Sequence, residues 1–161
     1  PRSITGLPAA LWGLSEPETL ARLFRAQPVS GLPASLSLTE MLALAELAPP
    51  VTDGPPGELF LARLDMLLAR GALDPALALM ERAGPTDPQV FRRFFDVSLL
   101  TGHGDRACRA MEANPDIAPT FPARIFCLAR GGDWPAAALS FGTGEALGRF
   151  EPVEADLPWW N

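Results

Sequence analysis

The sequence predicts an all-α protein, and three observations carry that prediction. Strand-forming residues are scarce: five valines, three isoleucines and no tyrosine. Alanine, leucine, arginine and glutamate dominate, and these are good helix formers. The 18 prolines and 14 glycines must then fall between helices, so the helices are short and numerous. With 161 residues and 48% hydrophobic content, the chain can bury a core as one domain.

The elements follow from their punctuation. A turn at 8–13 holds Trp12, expected to cover the N-terminal end of the fold. Helix 16–26 is expected to start at a capping box of Ser15 and Glu18, and helix 38–48 at one of Ser37 and Glu40. Between them, QPVSGLPASLS reads as a long loop. Helix 57–70 carries Phe60, Leu64, Leu67 and Leu68 at three- and four-residue steps. Asp74-Pro75 and Asp87-Pro88 open helices 75–83 and 88–101, with an N-cap acid before a proline whose missing N–H costs nothing. Asp105 opens 105–113, Thr120 opens 121–130 and Asp133 opens 134–141, with a further turn at 144–149.

Three stretches share one grammar: LLARGALDPALALMERA, LLTGHGDRACRAMEA and LARGGDWPAAALSF. Each ends a helix on leucine, turns at glycine and starts an alanine-rich helix after an aspartate. Gly71, Gly102 and Gly132 then stand 31 and 30 residues apart. A glycine is required there because the residue closing a helix commonly adopts a left-handed backbone. A two-helix period of this length is the signature of an α-solenoid. RGGDWP, at 130–135, is accordingly a helix corner rather than a binding loop.

Over residues 57–144 the pattern resembles the tetratricopeptide repeat. The first copy has Phe60, Ala76, Met80, Ala83 and Pro88 at the large, small and closing positions. The second has Phe91, Gly102, Ala107, Met111 and Pro119, and the third Phe121, Leu128, Ala137 and Phe141. The period is shorter than that family's 34 residues, and most of its Trp–Leu–Gly–Tyr set is missing. The resemblance implies a right-handed stack of antiparallel helix pairs, three of them in 57–144. Residues 1–50 would form an irregular capping helix pair, and 145–161 an extended C-terminal cap or tail. The overall composition also resembles that of exported helical-repeat proteins of α-proteobacteria.

Charge narrows the partners. The formal net charge is −6, which disfavours nucleic-acid backbones and acidic membrane surfaces. No apolar run approaches the ~20 residues of a membrane span. All 13 basic residues are arginine, which with the abundant Ala, Pro and Gly suggests a GC-rich bacterial genome rather than a chemistry. The chain opens at Pro1, so a processed product or a piece of a longer protein is expected.

Catalytic and metal motifs are wanting. His103 is the only histidine and sits in a repeated corner, without the partners a triad needs. His103, Cys108 and Cys127 lack metal-ligand spacing. GTGEAL and TGHGD are not phosphate loops, and a P-loop requires a lysine the chain does not have. No catalytic residue, cofactor or metal is therefore expected. Cys108 and Cys127 read either as two buried thiols or as a disulfide of an oxidising compartment; the compartment stays open, with export slightly favoured.

Binding is the expected activity. The helix faces turned into a concave groove would carry Asp65, Arg92, Arg93, Asp96, Phe126 and Arg130, and guanidinium forks suit carboxylates or acidic peptides. The plainer reading of Arg92, Arg93 and Asp96 is a solvated face with a helical ion pair. Trp159 and Trp160 would cover the last repeat or dock onto a partner or a second copy. The leading expectation is a non-enzymatic protein- or peptide-binding module. The alternatives are a scaffold domain of a larger envelope protein and an enzyme with an inter-helix pocket.

Overall fold

The structure, a computed structural model, describes residues 6–52, 54 and 57–150. Among these residues the fold is all-helical, with eight α-helices, one 3-10 turn and no strand. The chain divides into two compact units, Pro1–Pro85 and Thr86–Asn161.

The first unit holds α1 (Pro17–Arg25), α2 (Pro33–Leu44), α3 (Glu58–Ala69) and α4 (Leu73–Ala83). Helix α3 is its hub, because α1, α2 and α4 each pack on it. Ala62, Leu64, Met66 and Leu67 of α3 are buried there. The expected N-terminal helix pair does not form as such: α1 and α2 make their main contacts with α3 rather than with each other. Trp12 is buried and meets Phe24 of α1 edge-on, at 6.0 Å between ring centroids.

Arginines hold α2 in place. Arg63 of α3 is buried and donates from Nε to the Ala43 carbonyl at 2.6 Å and from Nη2 to the Ala45 carbonyl at 2.8 Å. These are among the carbonyls that a helix C-terminus leaves without intrahelical partners, and a cation is favoured beside them. Two turns on, Arg70 donates from Nη1 to the Leu36 carbonyl and the Thr39 hydroxyl, at 3.2 and 2.7 Å.

This explains why α2 spans 33–44 and not 38–48. Pro33 at the first helical position starts it inside the expected loop. Ala45 is already extended, with ψ 134°, and the prolines at 49 and 50 disfavour a helix before them. Ser37 and Glu40 consequently lie inside the helix and form no capping box. Nor does Ser15 cap α1. Glu16 is the N-cap without a side-chain bond, and the Ser15 carbonyl accepts from the Thr52 hydroxyl at 2.8 Å.

The second unit holds α5 (Pro88–Leu100), α6 (Gly104–Ala113), a 3-10 turn (Pro115–Ile117), α7 (Phe121–Arg130) and α8 (Trp134–Ala146). Each helix packs on the next. Phe91 is fully buried, with Phe94 and Phe95 against it at 6.0 and 6.3 Å. Asp87 caps α5 by accepting from the Gln89 and Val90 N–H groups, as the Asp-Pro signal predicts. Thr120 and Asp133 cap α7 and α8 through the N–H groups of Ala123 and Ala136.

Asp74 and Asp105 do not cap. Helices α4 and α6 begin at Leu73 and Gly104, two residues and one residue earlier than expected, with Ala72 and His103 as N-caps, so both acids fall in the first turn. There they still face the positive end of the helix dipole. Helix α8 also outruns its expected end at 141. It absorbs Gly142 and Gly144, because Gly144 is buried where Phe121 and Phe150 close in on it: an added Cβ would lie 2.4 Å from a Phe121 ring atom.

One corner recurs at Gly71, Gly102 and Gly132. Their φ values are +71°, +79° and +89°, in the region glycine tolerates and other residues avoid. In each, the glycine N–H bonds back to the carbonyl three residues earlier, those of Leu68, Leu99 and Ala129. The next residue donates to the carbonyl five earlier: Ala72 to Leu67, His103 to Ser98 and Asp133 to Leu128. This is the Schellman pattern, in which the turn itself satisfies the last helical carbonyls. The small residues following each corner, Ala76, Ala107 and Ala137, are all buried.

Candidate functional site

The expected binding residues separate. Asp65 lies in the first unit, 3.7 Å from Arg25 Nε, and Arg25 also bonds Glu58 at 3.1 Å. Arg92 and Asp96 are exposed on α5 and form no ion pair with each other among the described residues. Arg93 is half-buried and bonds the Gln89 carbonyl of its own helix at 2.9 Å. Trp159 and Trp160 lie outside the described residues.

Phe126 and Arg130 do come together, one turn apart on α7. Phe126 meets Phe95 of α5 edge-on at 6.2 Å and keeps 38% of its surface exposed. The Arg130 guanidinium lies 5.9 Å from the Phe126 ring centroid. Its Nε pairs with Asp105 in the first turn of α6. Gly104 beside it packs closely on Leu99, where an added Cβ would stand 3.1 Å from a side-chain methyl.

Arg130 also borders an open groove of about 590 Å³ between α6 and α7. The groove contains the Cys108–Cys127 disulfide, which joins the two helices at a Cα–Cα distance of 5.1 Å. Arg109 and Glu112 line it from α6, and Arg124 and Leu128 from α7. Arg124 reaches the Pro115 carbonyl at 2.8 Å, whereas Arg109 is exposed and makes no ion pair among the described residues.

Comparison with protein-family models, with curated proteins and with solved structures gave no match to this chain. The site is therefore read from its own chemistry. Three guanidinium groups, of Arg109, Arg124 and Arg130, line the groove together with three carboxylates, of Asp105, Glu112 and Asp133, so the formal charges of its lining balance. The Arg130–Asp105 pair is 43% and 62% exposed, and such a surface pair contributes at most about 1 kcal/mol. Leu128 and the disulfide supply apolar surface beside the cations.

Sequence reasoning missed Arg109, Arg124 and the groove itself. The signal was available once the cysteines were paired. Arg109 follows Cys108 and Arg124 precedes Cys127 by three, so a bond between the sulfurs draws both cations to one seam. Among the described residues, no helix is long and apolar enough to cross a membrane, and no cluster of three His, Cys, Asp or Glu could hold a metal ion.

Proposed function

We propose that the chain is a non-enzymatic helical-repeat module, of tetratricopeptide-like build, that binds an acidic peptide segment of a partner protein. The helix pairs 58–83, 88–113 and 121–146 are copies of one α-solenoid unit. Support for this comes from the corner shared by Gly71, Gly102 and Gly132 and from the buried alanine that follows each. The observation that carries the binding reading is the Arg109–Arg124–Arg130 groove, with the half-exposed Phe126 beside Arg130. An extended peptide would lay carboxylates against the guanidinium groups and an apolar side chain against Phe126 or Leu128.

Selection of a displayed random-peptide library on the purified chain tests this reading. Enrichment of acidic peptides is expected. Removing one or two charged hydrogen bonds, at about 1.5–3 kcal/mol each, should weaken the selected peptides about tenfold or more in Arg109→Ala/Arg130→Ala. The Arg92→Ala/Arg93→Ala pair asks whether the α5 face shares the site. No acidic enrichment, or affinity unchanged in both variants, would overturn the proposal.

A second reading, a scaffold domain of a bacterial envelope protein, is favoured by the disulfide, since such bonds persist in oxidising compartments.

A further inference from the structure

The Cys108–Cys127 disulfide is half-buried and borders the open groove, so a small thiol can approach it while the chain stays folded. It also lies where successive helices of the second unit pack least. Helix α7 packs far more sparsely on α6 than on α8, and Ala123 is the one residue of α7 that is buried outright. The Arg130–Asp105 pair crosses the same seam, but both its side chains are exposed, and such pairs contribute little. The bond is thus the main tie between α6 and α7.

The two sulfurs differ in their surroundings. Arg124 and Arg130 stand three residues either side of Cys127 on α7, whereas Asp105 and Glu112 stand three before and four after Cys108 on α6. At such spacings side chains share one helix face, with Cβ atoms about 5–6 Å apart. All four line the groove, and Arg109 of α6 and Asp133 at the start of α8 complete its charged rim. A thiolate at Cys127 therefore has two cations a turn away, and one at Cys108 has two carboxylates. Two full charges outweigh the partial charge, roughly half an electron, that the α7 C-terminus sets near Cys127.

We infer that this disulfide is a thiol–disulfide exchange site for a dithiol reductant, and that its reduction frees α7 from α6 and takes the groove apart. One thiolate of the dithiol attacks Cys108 Sγ. The Cys108–Cys127 bond breaks, and its electron pair leaves on Cys127 Sγ, the better leaving group because its thiolate is the one flanked by cations. The second thiolate of the dithiol then attacks its own first sulfur and releases Cys108. The dithiol ends as a disulfide, and its two protons end on the two cysteines.

Timed reduction of the full chain by dithiothreitol, without denaturant, tests this, and no peptide is needed to read it. Intact mass after alkylation gives the rate, and amide hydrogen exchange gives the consequence. The bond is expected to open completely while α5 and the first unit stay protected, with amides of α6 and α7 exchanging at least about tenfold faster. Brief exposure to glutathione with iodoacetamide present is expected to leave glutathione on Cys108 and the alkyl group on Cys127. Arg124→Gln/Arg130→Gln should slow reduction severalfold, and Arg124→Lys/Arg130→Lys should keep the original rate, because the leaving thiolate needs charge rather than a fork. Arginines that merely held the seam shut would give the opposite, faster reduction in the glutamine variant. That result, glutathione found on Cys127, a bond that opens only on global unfolding, or unchanged α6 and α7 amides after reduction would each overturn the assignment.

Discussion

Arg63 and Ala43 are joined by a 2.6 Å hydrogen bond from the guanidinium Nε to the last buried carbonyl of α2. Burial lowers the Arg63 pKa from its ordinary value by desolvation, yet an arginine stays charged throughout the working pH range. The bond therefore has no titration to lose, and α2 is held by a permanent cation. Replacing Arg63 with methionine strands the carbonyls of Ala43 and Ala45. The expected cost is about 2–4 kcal/mol, from two charged hydrogen bonds and their unpaired acceptors. Arg63→Lys should recover less than half of it, because one ammonium cannot span both carbonyls as the fork does. Urea unfolding of the three proteins gives the comparison.

The caps separate residues that look alike in the sequence. Asp87→Ala should cost about 1 kcal/mol, since two N–H groups of α5 lose their acceptor. Asp74→Ala should cost no more than a few tenths, because Asp74 only faces a helix dipole. Thermal unfolding of the pair decides it: equal losses would mean that α4 begins at Asp74 after all.

The disulfide staples α6 to α7 across 19 residues. On the chain-entropy account, closing such a loop contributes about 3 kcal/mol. Cys108→Ser/Cys127→Ser should lose about that much, with the loss concentrated in amides of 104–130 by hydrogen exchange. Intact mass after alkylation, with and without prior reduction, checks the bond itself: 2 Da and two alkyl groups should separate the samples.

Much of this fold is legible in the sequence, and the exceptions share a cause. Asp87, Thr120 and Asp133 mark their helices correctly because a cap is a local device, settled within four residues. Ser37 fails because the extent of α2 is set by Arg63 and Arg70, which arrive from a helix some twenty to thirty residues later. Gly142 and Gly144 read as breakers, and they are overruled by Phe121 and Phe150 packing on Gly144. The site divides the same way. Phe126 and Arg130 stand one turn apart and can be paired from spacing alone, whereas Arg109 and Arg124 meet only through a disulfide that spacing does not dictate.

Substituting the corner glycines tests whether the three turns are equivalent. Gly71→Ala, Gly102→Ala and Gly132→Ala each force a side chain into a left-handed backbone, with no neighbouring atom within 4 Å to add a clash. Each should therefore cost a similar amount, about 1–2 kcal/mol. Denaturant midpoints of the three variants check this, and one neutral member would mark its corner as different.

Native-state amide hydrogen exchange shows whether Gly71, Gly102 and Gly132 close their helices with one and the same corner. The N–H groups of Ala72, His103 and Asp133 lie past their helix ends, where amides ordinarily exchange freely, yet here each donates to a carbonyl five residues back. All three are expected to be slowed at least about tenfold relative to an unstructured chain. Free exchange at any of them, with the helices on either side still protected, would contradict it.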